Sequence, residues 1–390
     1  MRFLRTLSTR GLILLVVAVV VLAAGGAAIA VAAGGSGPKP PPKALERAIH
    51  DALAAPAPAG ITARVRFTNR LFPSGALLGQ AGSALLSGAS GRLWLTKDGL
   101  GRIELQSDAG DVQLVWNHET LQVYDASSNS VYRVHLPHHG SSGSDHGGAP
   151  ALSQIDDVLS KLGAHATISA AQPTDVGGHA AYNVAVSPKH DGGLLASAQL
   201  AWDAANGVPL RVAIYAQGSS SPVLALTVTQ ISYGSVPASD VEVAPPAGAK
   251  VVDLGSAGRH ASSQGKGKER SSVSGLAPVR AHADFSVKAP ATLVGLPRQD
   301  VRLVGPKSDA ALVIYGHGLG ALVVLEQKAG AAQSNGPTSS LPRVSLDGVT
   351  AHELATQLGT VLVWRSNGTS FVLAGSLPPA AAEAAARHLQ

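Results

Sequence analysis

The sequence contains no cysteine, and this absence excludes several kinds of chemistry. A disulfide framework, a thiolate zinc site, a cysteine nucleophile and a lipidated N-terminal cysteine all need that residue. Aromatic residues are also scarce, at 4% of the 390 residues, so the hydrophobic cores must consist of Val, Leu, Ile and Ala. If the chain is exported, its stability therefore depends on hydrophobic burial without covalent cross-links.

Charged residues make up only 14% of the chain, and no long part of the sequence concentrates one sign. The formal net charge of +5 comes from Lys and Arg residues that are scattered along the chain. One short basic run, at residues 266–270, lies in a polar segment. A nucleic-acid-binding protein favours a basic stripe with interleaved aromatic residues. The sequence shows no such stripe, and we expect no nucleic-acid partner.

A long uncharged run, residues 11–33, follows a basic flank at residues 1–10. As an α-helix this run would be roughly 34 Å long, enough to span a bilayer core of about 30 Å. We therefore predict a transmembrane anchor over residues 11–33. A cleaved signal peptide is the alternative, because Ala30-Val31-Ala32 is a suitable cleavage site. Both interpretations place the rest of the chain outside the cytoplasm, in the cell envelope or secreted.

A first folded domain is predicted over residues 43–254, after a Gly/Pro-rich spacer at residues 34–42. Apolar residues at helical spacing predict an amphipathic helix over residues 43–53 and a second one over residues 152–162. Between them, short runs of alternating polarity separated by turn residues predict an antiparallel sheet over residues 61–136. Further strands follow the second helix. The domain is therefore expected to be α+β and mainly β.

A second, smaller α+β domain is predicted over residues 276–390. A polar Ser/Gly/Lys-rich linker at residues 255–275 separates it from the first domain. Asn367-Gly368 lies between two apolar runs, which is a strong indication of a hairpin. An Ala-rich segment at residues 378–389 predicts a closing helix.

The last part of the first domain, residues 194–254, carries the most specific pattern. One strand ends at Trp202-Asp203, and Asn206-Gly207 predicts a tight reversal. The strand over residues 223–233 is predicted to have two apolar faces, and such a strand expects cover on both sides. One of these faces is assigned Leu224, Leu226 and Val228, and the other is assigned Val223, Ala225 and Ile231.

This order of strand ends resembles the LolA/LolB lipoprotein-carrier superfamily, whose fold is shared with the RseB/MucB regulators, over about residues 43–254. The matching elements are Trp202-Asp203, the Val-Pro-Leu-Arg-Val run at 208–212, Ile231-Ser232-Tyr233 and the Pro-Pro-x-Gly-Ala-Lys-Val run at 245–251. The resemblance implies a curved antiparallel half-barrel with amphipathic helices on its concave face. It also implies an apolar ligand, such as a lipid or a lipoprotein acyl chain, or alternatively a protein partner in envelope or sigma-factor signalling.

The second domain resembles, more weakly, the small C-terminal domains of bacterial envelope and anti-sigma-type proteins. The resembling residues are the hairpin and the start of the helix after it, LGTVLVWRSNGTSFVLAGSLPP at 358–379. This resemblance assigns no task to the domain.

Candidate chemistry is limited to weak patterns. The loop over residues 135–146 is rich in His, which indicates either a metal site or a flexible loop that binds metal adventitiously. His352-Glu353 begins a zinc-protease motif, but the second His would fall at Thr356. The glycines at residues 316–320 are better explained by a hairpin than by a phosphate loop, because no helix follows them. We expect no catalytic residues, no metal and no cofactor.

The large aromatic residues of the first domain are either core residues or part of a ligand cavity. Together with one face of the strand at 223–233 they form the predicted ligand-binding set. That set is Trp94, Trp116, Trp202, Leu224, Leu226 and Val228. The sequence thus favours a non-enzymatic cell-envelope protein that binds an apolar ligand, with a partner-binding regulator or a purely structural module as the alternatives.

Overall fold

The structure is a computed structural model that describes residues 37–71, 84–136, 150–189, 193–253, 273–304, 309–330 and 341–390. The predicted anchor at residues 11–33, most of the predicted linker and the His-rich loop beyond residue 136 lie outside these ranges. Within them, no helix has both the length and the apolar character needed to cross a membrane.

The chain divides into two compact units. The first comprises Met1–Arg70, Gln80–Lys189 and Ala196–Gly255, and the second comprises Leu71–Gly79, His190–Leu195 and Ser256–Gln390. The chain is mainly β with few helices, which confirms the predicted fold class in outline. The curled half-barrel is the eight-stranded sheet of the second unit, whereas the sequence predicted a half-barrel over residues 43–254.

The first unit is built on a thirteen-stranded sheet with three described helices. The helices are α1 (Leu45–Ala54), α2 (Ala84–Ser87) and α3 (Leu152–Gly163). The strands are β1 (Gly60–Asn69), β2 (Ala89–Thr96), β3 (Gly101–Ser107), β4 (Gly110–Trp116), β5 (Thr120–Asp125), β6 (Ser130–His135), β7 (Ala166–Ile168), β8 (Gln172–Val176), β9 (His179–Pro188), β10 (Leu195–Asp203), β11 (Pro209–Ala216), β12 (Leu224–Tyr233) and β13 (Lys250–Asp253). Their order is β13-β6-β5-β4-β3-β2-β1-β12-β11-β10-β9-β7, with β8 paired to β9 and β13 parallel to β6.

The second unit holds an eight-stranded sheet and two described helices. The helices are α4 (Leu276–His282) and α5 (Pro379–Arg387). The strands are β14 (Thr292–Leu293), β15 (Leu296–Val304), β16 (Ala310–Tyr315), β17 (Leu322–Lys328), β18 (Arg343–Leu346), β19 (Val349–Thr356), β20 (Gly359–Ser366) and β21 (Thr369–Gly375). Their order is β14-β15-β16-β17-β21-β20-β19-β18.

The helices form where the apolar spacing predicts them. Leu45, Ala48, Ile49 and Ala52 of α1 pack into one hydrophobic cluster, as their shared helical face requires. The helix ends at Ala54, before Pro56, whose ring cannot continue it. At the start of α3 the Gln154 side chain accepts a hydrogen bond from the Ala151 backbone N–H at 3.1 Å, which satisfies a donor at the helix terminus.

Strand β12 corrects one assignment made from the sequence. Leu226 and Val228 share a face, as alternation predicts, because they lie opposite Phe67 and Val65. A β-bulge interrupts the register at Arg64/Val65, so Thr229 is not paired with a β1 residue in the ladder and the alternation shifts by one residue. Ile231 therefore joins the face of Val228, whereas the sequence placed it on the opposite one. That opposite face is polar along most of the strand, through Thr227, Gln230 and Ser232.

The second unit has its own hydrophobic core, centred on the stacked rings of Trp364 and Phe371 at 4.9 Å between centroids. These residues lie opposite each other in the β20–β21 hairpin. The two central residues of its turn, Asn367 and Gly368, both have positive φ, at 50° and 73°. The predicted Asn-Gly hairpin is confirmed.

A carboxyl group lies inside this core. Glu326 on β17 has no solvent exposure, and its Oε2 accepts a hydrogen bond from the Lys288 backbone N–H at 2.7 Å. Its Oε1 has no partner among the described residues. Burial raises the pKa of Glu326 to about 7, against the lowering effects of that bond and of the Lys288 and Arg280 charges. Burial and the Glu326 charge in turn raise the pKa of Tyr315.

Candidate functional site

The register of the large sheet assigns its side chains to two faces. One row of directly paired residues crosses seven strands, from β12 to β6, and is hydrophobic throughout. Its members are Ile231, Ala63, Leu93, Ile103, Leu114, Val123 and Tyr132. We call the face that carries this row the apolar face. The opposite face carries Arg64, Arg66, Arg92 and Arg211, and we call it the arginine face.

The apolar face keeps accessible apolar surface among the described residues. Helix α2 packs on it, with Ala84 buried in the same cluster as Val65 and Leu105. Most members of the row are only partly buried, and Tyr132 at its end is 37% exposed. A strip of hydrophobic side chains that a protein keeps accessible to water is a candidate surface for an apolar ligand.

Three of the predicted ligand-binding residues lie on the apolar face in β12. Leu226 is partly buried and lies opposite Phe67 in β1 and Val212 in β11. Val228 is buried in the cluster of that face. Leu224 faces the same way and lies opposite Asn69, at the end of β1.

Trp116 also lies on the apolar face, where a glycine makes room for it. Its ring lies over Gly101, its direct partner in β3, so that a Cβ atom at position 101 would overlap the indole. The indole N–H donates to the Gly99 carbonyl at 3.1 Å. The side chain therefore presents an apolar surface while its polar atom is satisfied.

Trp94 and Trp202 lie on the other side of the sheet and do not join this group. The guanidinium of Arg102, the direct partner of Trp94, lies 5.1 Å from the Trp94 ring centroid, in cation–π geometry. Trp202 is buried beside Tyr182, at 6.2 Å between ring centroids, in the cluster that includes α1. The predicted set therefore divides between the two faces of the sheet.

The longer helices do not cover the face of Leu226. Helix α1 packs on Tyr182, Val184 and Trp202 of β9 and β10, whose side chains point away from the apolar face. Helix α3 packs against α1 and β7. This corrects the expectation that both amphipathic helices lie over the face that would hold a ligand. Their apolar sides are instead used to cover the end of the sheet.

A buried carboxylate joins three strands at one end of the apolar face. Asp203 of β10 accepts a hydrogen bond from the Tyr233 hydroxyl of β12 at 2.6 Å, and the same oxygen lies 3.1 Å from Nδ1 of His179 in β9. Its other oxygen accepts from the Ala205 N–H at 2.8 Å. Burial, more than the bond to Asp203, raises the pKa of Tyr233. Sequence reasoning marked Asp203 only as a strand end, because its partners are distant in the chain.

The described residues contain no group of three or more His, Cys, Asp or Glu side chains placed to hold a metal ion. His352 lies on β19, where its Nδ1 is 3.3 Å from the Leu341 carbonyl. Gly318–Gly320 form a short 3₁₀ turn between the antiparallel strands β16 and β17.

No family model matches this chain, and no curated protein matches it. Among solved structures, MucB from the MucA/MucB complex of Pseudomonas aeruginosa is 16% identical with a TM-score of 0.41, covering 88% of this chain and 94% of its own. A putative outer membrane lipoprotein-sorting protein domain from Vibrio parahaemolyticus is 10% identical with a TM-score of 0.24, covering 51% and 96%. A LolA superfamily protein from Nitrosomonas europaea is 9% identical with a TM-score of 0.21, covering 52% and 98%.

These are the types of protein that the sequence resemblance named. All three TM-scores are below 0.5, so the function of this chain has to be argued from its own residues.

Proposed function

We propose that this chain is a non-enzymatic cell-envelope protein that binds an apolar ligand, such as a lipid or a lipoprotein acyl chain, on the apolar face of its large sheet. The observation that carries the proposal is the hydrophobic row from Ile231 to Tyr132, which is unbroken over seven strands and mostly only partly buried. Neither charge nor hydrogen-bonding side chains interrupt it before the Tyr132 hydroxyl. Such a surface recognises hydrocarbon and little else.

The dimensions of the row suit an acyl chain. Seven strands enclose six interstrand spacings of about 4.8 Å, so the row is roughly 29 Å long. An acyl chain fills half of a bilayer core and is therefore roughly 15 Å long. The row is thus long enough for one chain laid across the strands. Each methylene group that it shields from water contributes about 0.8 kcal/mol.

The test is binding of a fluorescent fatty acid to the full chain. Leu114 lies near the middle of the row and is partly exposed, so Leu114→Glu places a charge where the hydrocarbon would lie. We expect the variant to fold, as judged by circular dichroism, and to lose fatty-acid binding, because a carboxylate beside a hydrocarbon chain is desolvated without a partner.

Gln122→Glu is the matched control. Gln122 lies in the neighbouring strand β5, is also partly exposed, points to the opposite face and lies opposite Arg133 of β6. It receives the same charge and should retain binding. Equal loss in both variants, or no fatty-acid binding by the unmodified protein, would remove the proposed ligand and leave the partner-binding regulator as the function to test.

A further inference from the structure

The arginine face brings together basic residues that are scattered along the sequence. Arg64 of β1 and Arg92 of β2 are direct cross-strand partners. Arg66 lies two residues along β1 on the same face, opposite Thr227 of β12, and Arg211 of β11 lies on the other side of that same threonine. Four guanidinium groups therefore lie within four adjacent strands.

Arg211 donates to the Tyr215 hydroxyl at 2.6 Å, whereas the other three guanidinium groups form no ion pair among the described residues. Two like charges directly opposite each other in a sheet are destabilising. Arg64, Arg66 and Arg92 are exposed. Glu104 lies opposite Arg92, but its carboxylate is bonded to the guanidinium of Arg102. Because the Arg64–Arg92 pair destabilises the sheet and forms no ion pair within the described fold, we infer that it has a role in binding.

The arginines lie on a part of the arginine face that packed segments border on two sides, and we call this part the channel. On one side of them, α1 packs on β9 and β10. On the other side, residues 241–246 cross the same face over β4 to β6, where Val243 and Pro245 lie against Val115 and Gln122. Between these walls, at the ends of β1 to β3, an open groove of about 410 Å³ is lined by Arg66 and Arg70, by one carboxylate, Asp108, and by uncharged side chains that include Phe67, Thr68, Ser90 and Gln106.

We propose that this channel binds an extended, acidic segment of a polypeptide partner. Guanidinium groups bind carboxylates through paired hydrogen bonds, and Arg64 and Arg66, two residues apart on one strand, have the same spacing as alternate acidic side chains on an extended chain. The strands β11, β12, β1, β2 and β3 span roughly 19 Å between the walls, which admits a peptide. A planar membrane surface would contact arginines between these walls less closely than an extended peptide would. This inference does not depend on the apolar ligand.

The experiment measures the affinity of the full chain for a labelled peptide of alternating Glu and Ser, by fluorescence anisotropy. We expect saturable binding that weakens as salt is raised, because exposed charges are screened within about 10 Å at 0.1 M salt. The double variant Arg64→Gln/Arg92→Gln should weaken binding at least about tenfold, since two charge-assisted contacts are lost. Its thermal stability should be unchanged or higher, because the like-charge pair is removed.

Arg343→Gln/Arg365→Gln is the matched control, because it removes two exposed arginines from the second unit. This variant should bind the acidic peptide like the unmodified protein. If R64Q/R92Q does not fold, Thr227→Glu tests the same channel by placing a carboxylate between Arg66 and Arg211, and it should weaken binding similarly.

Three outcomes would overturn the proposal. One is equal binding of a Gln-Ser peptide, and another is equal weakening by the control variant. The third is the absence of peptide binding together with arginine-dependent binding to phosphatidylglycerol vesicles, which would identify an anionic lipid surface as the occupant. Retention of fatty-acid binding in R64Q/R92Q would show that the proposed peptide site and the proposed fatty-acid site are independent of each other.

Discussion

The buried Glu326 should make the second unit less stable as the pH rises. Its pKa is raised by burial from 4.5 to about 7 in the folded chain. Between pH 4.5 and about 7, the folded state therefore still holds a proton that the unfolded state has already released. The contribution of Glu326 to stability is most favourable below pH 4.5 and is lost as the pH rises through about 7. The difference is on the order of 3 kcal/mol, at 1.36 kcal/mol per pKa unit.

Replacing Glu326 by Gln should remove this pH dependence. The side-chain carbonyl of Gln can still accept the Lys288 N–H, and the amide carries no charge to desolvate at high pH. We therefore expect Glu326→Gln to be more stable than the unmodified protein at pH 8, and to lose most of that advantage at pH 4.5. Because the core is otherwise unchanged, the difference between the two proteins isolates the carboxyl group.

Hydrogen exchange of peptides from β17, followed by mass spectrometry, measures local stability within the full chain. Comparing both proteins at each pH cancels the intrinsic pH dependence of exchange. Glu383→Gln is the matched control, since Glu383 pairs with Arg387 on α5 near the surface and receives the same chemical change. A stability difference between E326Q and the unmodified protein that is the same at pH 4.5 and pH 8 would refute the reasoning.

Two further predictions concern the first unit, and urea unfolding measures both. Tyr233→Phe should lower the free energy of unfolding by about 1–3 kcal/mol, because Asp203 stays buried but loses the hydroxyl donor that lies 2.6 Å away. An unchanged urea midpoint would show that this hydrogen bond does not stabilise the fold. Gly101→Ala should lower the free energy of unfolding by about 1–3 kcal/mol, because the new methyl group would overlap the Trp116 ring. The double variant Gly101→Ala/Trp116→Leu should recover part of that loss.

The elements of this fold follow well from local patterns. The spacing of Leu45, Ile49 and Ala52 predicts α1, and Asn367-Gly368 predicts its hairpin, because these patterns act within a few residues. Glu326 was also predictable in principle. It follows Leu322 and Val324 at period two, so alternation alone directs its side chain into the core. The ionisable residue at an inward position is the signal that sequence reasoning passed over.

The division of residues between the two faces did not follow from local patterns. The bulge at Thr229 shifts Ile231 to the apolar face, and no residue type in the strand marks it. Arg64 and Arg92 are far apart in the chain, so only the β1–β2 register makes them neighbours. The absence of a basic run in the sequence therefore does not exclude a basic surface on the folded protein. Trp94 and Trp202 were grouped with Trp116 by size, whereas strand parity separates them.

The geometry of the sheet makes the carrier and the regulator compatible interpretations of one domain. The hydrophobic row and the arginines alternate along the same strands, as with Leu93 beside Arg92 in β2. An occupant of one face therefore does not compete for space with an occupant of the other.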